Sequence, residues 1–466
     1  MRRSKLILCM ILIFGFSTGC AHYLENAALK NIKPESGYRY KNISPGDNSD
    51  SLFVILTFSG GGTRAAAFSY GVLEKLRDTT IIWEGKEKRL LDEVDVISSV
   101  SGGSFTAAYY ALRGDKVFTE FEGRFLNENI ERALMTQLFY PANWFRLASP
   151  HYSRIDIAAR YYDEHVFDHA TFDDLGRKKP FILINATDMT LGSRFEFTQD
   201  QFDLLCSDMS GYPVARAVAA SSAFPGLLSP VSLVNHAGKC GYREPGWVGN
   251  ALRDRDIARA RFARASQVRS YRDGKERPYI HLLDGGIADN IGLREPMYSL
   301  WSTDCPWSLL RMINLKKVHK VAIIVVNAKN ETASAIDKKE SPPGLLETLN
   351  VVANAPMDNY SFETIDLLQK GLDQWARDDA ARKSCEKAIR QSCPQAALPG
   401  AAPHEVKFYP VVIGLDAIPD EKERRDLKNL PTSFSLPRKD TDRLRAAAGK
   451  LLDEAEGFRR LRSDLK

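Results

Sequence analysis

The chain has little of what metal, redox and nucleotide chemistry require. Of its 466 residues only seven are cysteine and eight are histidine. No two cysteines stand in Cys-x-x-Cys spacing, which argues against a zinc site. His165 and His169 have i, i+4 spacing, but no glutamate completes a His-Glu-x-x-His arrangement, so no metal is expected. The glycine cluster at 60–62 is not followed by Gly-Lys-Ser or Gly-Lys-Thr, which excludes a nucleotide phosphate loop. Nothing in the sequence calls for a cofactor, and no internal repeat is present. The apolar run Leu6 to Phe16 is too short to span a bilayer stably. Charge of one sign is scarce as well. The formal net charge is +5, Arg2, Arg3 and Lys5 supply three of it, and +2 remains after residue 19. That near-neutrality gives no electrostatic case for nucleic-acid binding.

What is present is an ordinary globular composition, 44% hydrophobic and 26% charged. It is ample for a large core, either as one α/β domain with extensions or as two domains. Arg2-Arg3-Ser4-Lys5 followed by the apolar run reads as a secretion signal. Its end, Ser17-Thr18-Gly19-Cys20, resembles a bacterial lipoprotein cleavage box, with Ser17 where that box prefers Leu. In that reading residues 1–19 are removed and Cys20 is diacylated as the new N-terminus; an ordinary cleaved signal with an incidental cysteine is the alternative. Ala21, rather than Asp, after the cysteine implies by the same resemblance the outer membrane of a bacterial envelope. Residues 20–50 are polar, carry Pro34, Pro45 and Gly46, and read as a lipid-anchored tether. Apart from Cys9 and Cys20, five cysteines remain: Cys206, Cys240, Cys305, Cys385 and Cys393. An oxidising compartment permits Cys206–Cys240 or Cys385–Cys393, the odd count leaves at least one unpaired, and spacing does not fix the connectivity.

Three segments share one grammar, a strand that ends in a tight glycine turn, and in two of them a helix follows. Val94-Asp95-Val96-Ile97 leads into Ser99-Val100-Ser101-Gly102-Gly103 and the helical run from Phe105. Such a turn presents a serine hydroxyl at a strand's end over a helix start. Phe53 to Phe58 leads into Ser59-Gly60-Gly61-Gly62-Thr63-Arg64, where unobstructed backbone N–H groups at a helix N-terminus suit an oxyanion. Ile280-His281-Leu282-Leu283-Asp284-Gly285-Gly286 ends a third strand in a carboxylate beside two glycines. Each turn alone is as well explained by tight packing. Together they fit one active site.

In this order the three motifs resemble the patatin-like phospholipase family, over roughly residues 50 to 330. Asn185-Ala186-Thr187-Asp188 and Ala219-Ala220-Ser221-Ser222-Ala223-Phe224-Pro225-Gly226 add to the likeness. The chain departs from the family pattern at Ser99, where a glycine is usual, and at Ala65. The resemblance implies a three-layer α/β sandwich and a serine–aspartate dyad without histidine. It implies Ser101 as nucleophile, Asp284 as its base, and the amides of Gly60, Gly61, Gly62 and Gly102 as the oxyanion hole. Membrane lipids would be the substrate, and phospholipid, lysophospholipid, monoglyceride and glycolipid all fit. Arg64, just past the glycines, is either a partner for a phosphate headgroup or a structural cation.

Alternation of β-branched runs with helical segments independently predicts a mostly parallel sheet with helices on both faces and a site at the strand carboxyl ends. The catalytic unit is expected at 51–335, with a basic insertion at about 237–277, and a helical C-terminal extension at 336–466 packing on the core. The insertion is either a solvated element or a contact for anionic headgroups. Segment 114 to 175, rich in Phe, Tyr and Leu, is either a set of packed helices or part of a lipid-facing cap. Pro410 marks the strand Val406 to Ile413 as a sheet edge. Among the histidines, His281 should point away from Asp284, and His319 should lie at the opposite end of the sheet. The function expected is therefore a serine acyl hydrolase of membrane lipids. A thioesterase or general esterase on the same dyad, or a non-catalytic lipid-binding envelope lipoprotein, are the alternatives.

Overall fold

A computed structural model describes residues 21–44, 46–176, 178–301, 317–330, 340–395 and 406–466. The signal segment, Cys20 and Cys305 lie outside the described residues.

Eight strands build the central sheet: β1 (Leu52–Phe58), β2 (Val94–Val100), β3 (Phe181–Asp188), β4 (Ser193–Glu196), β5 (Val231–Val234), β6 (Tyr279–Asp284), β7 (Lys320–Asn327) and β8 (Lys407–Gly414). Their order is β8-β7-β1-β2-β3-β6-β5, with β4 also on β3. From β8 to β3 every pairing is parallel. β6 then runs antiparallel to both β3 and β5. The sequences follow their burial. β1 and β2 are buried along their whole length and read as continuous runs, as strands covered on both faces do. β8 and β6 alternate buried with less buried positions. Pro410 sits in β8 at the sheet edge, where a missing N–H breaks no ladder. Asp95 is the bulged residue of β2, unpaired between Val94 and Val96, and its carboxylate accepts the Val54 N–H at 2.7 Å.

The helices that bear on the site are α1 (Gly62–Arg77), α2 (Gly102–Arg113), α3 (Ile130–Phe139), α4 (Pro141–Leu147), α5 (Arg154–His165), α6 (Val214–Ser221), α7 (Gly246–Arg253), α8 (Arg259–Arg272), α9 (Gly286–Asp289), α10 (Leu345–Ser392) and α11 (Arg438–Glu454). α1 and α2 start from the carboxyl ends of β1 and β2. α11 crosses α1 so closely that a Cβ on Gly71 would come within 2.4 Å of the Arg445 carbonyl oxygen. The segment after residue 336 thus completes the sheet with β8 and covers α1 with α11.

Residues 22 to 44 are not a free tether. Asn26 bonds with Ser207 and Val234, and the Tyr38 hydroxyl donates to the Ile182 carbonyl and accepts its N–H. Arg39 is buried against Asp200 and Asp203. Partners distant in sequence hold this polar segment down, so its composition misled. A disulfide joins Cys206 to Cys240, while Cys385 and Cys393 are free and exposed. The basic insertion forms α7 and α8, and several of its arginines are paired: Arg261 with Asp254, Arg264 with Glu196, Arg269 and Arg272 with Glu244.

Candidate active site

Strand β3 is the ruler on which the site is set out. β2 pairs with it up to Val100 opposite Asn185, and β6 pairs with it from Asp284 opposite Ala186. Adjacent residues of one strand therefore hold the residue before Ser101 and Asp284 itself. The Ser101 hydroxyl donates to Asp284 Oδ2 at 2.9 Å. Both side chains are buried, Ser101 6% and Asp284 4% exposed.

Ser101 adopts φ 49° and ψ −120°, a left-handed conformation costly to a side-chain-bearing residue. Its surroundings over-determine it. The Ser101 N–H donates to Ser221 Oγ at 2.8 Å, and Ser221 Oγ donates in turn to the Asn185 carbonyl at 2.6 Å. The Ser221 carbonyl accepts the Gly285 N–H, and the Ala223 carbonyl accepts the Asp284 N–H, both at 3.0 Å. The small-residue segment at the end of α6 thus ties both halves of the pair to β3. Ser221 was visible in the sequence as part of that segment, but nothing there signalled its bonds.

Burial pushes the Asp284 carboxyl up to about 6, against the opposing pull of the Gly286 N–H and the Ser101 hydroxyl. The Gly286 N–H donates to Oδ1 at 2.8 Å, and so leaves Oδ2 for the serine. A carboxylate so placed, ionised at neutral pH yet more basic than in water, can take a proton from a hydroxyl.

Gly62 and Gly102 are the first residues of α1 and α2, so their N–H groups have no acceptor inside their helices. The two helix starts abut, since a Cβ on Gly102 would lie 2.0 Å from the Gly62 carbonyl oxygen. Gly61, the cap of α1, has φ 135°, which only glycine tolerates. Gly60 departs from the expected role. Its N–H donates to the Asn290 carbonyl at 2.9 Å and is unavailable to an oxyanion. It is small because a Cβ there would meet Asn290 Oδ1 at 2.5 Å and Ser101 Cβ at 3.3 Å.

Arg64 also departs from a headgroup role and takes the structural one. Its guanidinium is buried and donates to the Ala328 carbonyl at 2.9 Å, the Leu430 carbonyl at 2.6 Å and Thr432 Oγ1 at 3.1 Å. The neighbouring Thr63 N–H donates to the Ser433 carbonyl at 2.9 Å. The glycine loop is thereby clamped by residues 430–433, a contact no local pattern could reveal.

Among the described residues the histidines stay away from the pair, and His404 lies outside the described residues. His281 is exposed and bonded to Ser232, and the His319 N–H donates to the Ser51 carbonyl, at the amino ends of the parallel strands. His165 contacts the Tyr161 carbonyl and His169 contacts Asp163. Among the described residues no group of three potential ligands could hold a metal ion.

Residues 56–297 match the model of a family described as Patatin-like phospholipase. No curated protein matches in a sequence comparison. Among solved structures, a human GIVD cytosolic phospholipase A2 is similar at 13% identity and a TM-score of 0.33. That likeness covers 59% of this chain and 45% of the human one, so less than half of the human chain's length is spanned. VipD from Legionella pneumophila is similar at 12% identity and a TM-score of 0.30, over 92% of this chain and 70% of that one.

Proposed function

The chain belongs to the patatin-like phospholipase family, and from that premise we propose that it hydrolyses acyl esters of membrane lipids through Ser101 and Asp284. Ser101 Oγ attacks the ester carbonyl while its proton passes to Asp284 Oδ2. The tetrahedral oxyanion is stabilised by the amides of Gly61, Gly62 and Gly102, each such donor contributing about 3–4 kcal/mol. Asp284 returns the proton to the departing alcohol, leaving an acyl-serine. Water, deprotonated by the same carboxylate, then releases the fatty acid and restores the hydroxyl. The observation that carries this reading is the 2.9 Å hydroxyl–carboxylate bond, with a carboxyl raised to about 6. The reading includes diacylation of Cys20 and residence in the bacterial outer membrane, which bring the enzyme to its substrate.

Two measurements test it. A fluorophosphonate probe should label the parent chain at Ser101 and leave Ser101→Ala unlabelled; a chain inert to the probe would be a lipid-binding protein. Asp284→Ala should lose ester hydrolysis, and full activity in that variant would sink the dyad. Comparing phospholipid with thioester and short-chain ester substrates separates a lipid hydrolase from a general esterase.

A further inference from the structure

Resting on the reading of Cys20 as a lipid anchor, we infer that the hairpin of α3 and α4 is a membrane-docking surface whose apolar tip enters the interfacial layer of the bilayer. Met135, Phe139, Tyr140 and Trp144 are 52%, 70%, 58% and 58% exposed. Scattered exposed hydrophobic residues are ordinary, but four on one short hairpin form a patch. Met135 and Phe139 stand four residues apart on one helix face. The Trp144 indole N–H donates to the Leu138 carbonyl at 2.7 Å, which lays the ring against the end of α3. Buried Asn143 donates to the Gln137 carbonyl at 2.7 Å and fixes the turn. The hairpin is thus held with its aromatic residues outward, and Trp and Tyr are the side chains that favour the headgroup layer.

The course of the N-terminal segment identifies the occupant. Ser149, just past the end of α4, donates its hydroxyl to the Ala21 carbonyl at 2.6 Å. The Tyr23 N–H donates to the His151 carbonyl at 2.7 Å, and the His22 ring stacks on His151 at 4.9 Å. Ala21 adjoins Cys20, and consecutive Cα atoms are about 3.8 Å apart. Ala21, the residue next to the proposed anchor, therefore lies at the foot of this hairpin. Because residues 22 to 44 are bound down, the anchor cannot hold the protein away from the bilayer, and the hairpin is brought to the lipid surface. The same segment passes the sheet's catalytic end. Asn26 bonds to Val234, which pairs with Tyr279, the first residue of β6; Tyr279 stands beyond Leu282, the partner of the last residue of β3, and so past the carboxyl end of that strand.

The full acylated chain, reconstituted in phosphatidylcholine vesicles containing brominated phosphatidylcholine, tests the inference. In a Ser101→Ala background, which keeps the vesicles intact, bromine should quench part of the tryptophan fluorescence, and Trp144→Phe should remove that part. In the otherwise unaltered chain, Phe139→Asp with Trp144→Glu should slow hydrolysis of vesicle phospholipid at least tenfold and leave hydrolysis of a soluble short-chain ester unchanged. Equal quenching with and without Trp144 overturns the inference. So does a dimer in sedimentation that Phe139→Asp dissociates, which would assign the face to a second copy. Loss of the catalytic reading would show separately, as failure of the parent chain to cleave either ester while the quenching persists. Absence of diacylglycerol on Cys20 by mass spectrometry would remove the premise and the inference with it.

Discussion

Asp284 carries opposite consequences for activity and for stability. To accept a proton it must be ionised, so hydrolysis should be full well above pH 6 and fall as pH drops through about 6. Stability runs the other way, because burial raises this carboxyl from 3.8 to about 6 on folding and so favours its neutral form. That contribution is fully present below pH 3.8 and lost as pH rises through about 6. Asp284→Asn should therefore be inactive yet more stable at pH 8, by on the order of 2–3 kcal/mol. Denaturant melts at pH 8 and pH 3.5 check this, the gain vanishing at the lower pH. Ser221 offers a second test at this scale. Ser221→Ala leaves the Ser101 N–H without its acceptor, which should cost about 1–3 kcal/mol of stability. It should also lower kcat with little change in KM, since it loosens the serine's strained turn without touching the substrate.

Elements show where local sequence pattern is sufficient and where it is not. The turns at Ser101 and Asp284 were legible because each is a local pattern of strand followed by paired glycines, although most atoms that demand those glycines are remote: a Cβ on Gly102 would meet the Gly62 carbonyl and one on Gly285 the Asn185 carbonyl. Strand β8 was legible too, Pro410 marking its edge position. The acceptor of the Gly60 N–H was not, because Asn290 arrives from a distant turn beyond β6. Nor was the polar segment around Tyr38 and Arg39, whose burial depends on Ile182, Asp200 and Asp203. Arg64 belongs to the same class, its role set by residues 328 and 430–432. Arg64→Ala leaves three acceptors without their cation and should destabilise the protein by about 2–4 kcal/mol. Its KM ratio for a phospholipid against an uncharged monoglyceride should stay unchanged. A selective rise for the phospholipid would return Arg64 to headgroup recognition.

At the scale of the whole molecule, the family match ends at residue 297, but the folded unit does not. β7 and β8 finish the sheet, α11 covers α1, and residues 430–433 clamp the glycine loop. The Cys206–Cys240 disulfide closes a loop of 34 residues around α6 and β5, which in the chain-entropy description contributes about 3–4 kcal/mol. Reduction, or Cys206→Ser with Cys240→Ser, should lower the denaturation midpoint accordingly. Esterase activity measured well below that midpoint should persist.

The pairing of β2 and β6 on neighbouring positions of β3 has an evolutionary side. Ser101 and Asp284 are 183 residues apart in the chain, yet their spacing owes nothing to the length of what lies between. Loops, helices and whole inserted modules can be lengthened or exchanged there, provided Asn185 and Ala186 keep their partners. The serine hydroxyl and the carboxylate remain in register while the segments around them are free to diverge.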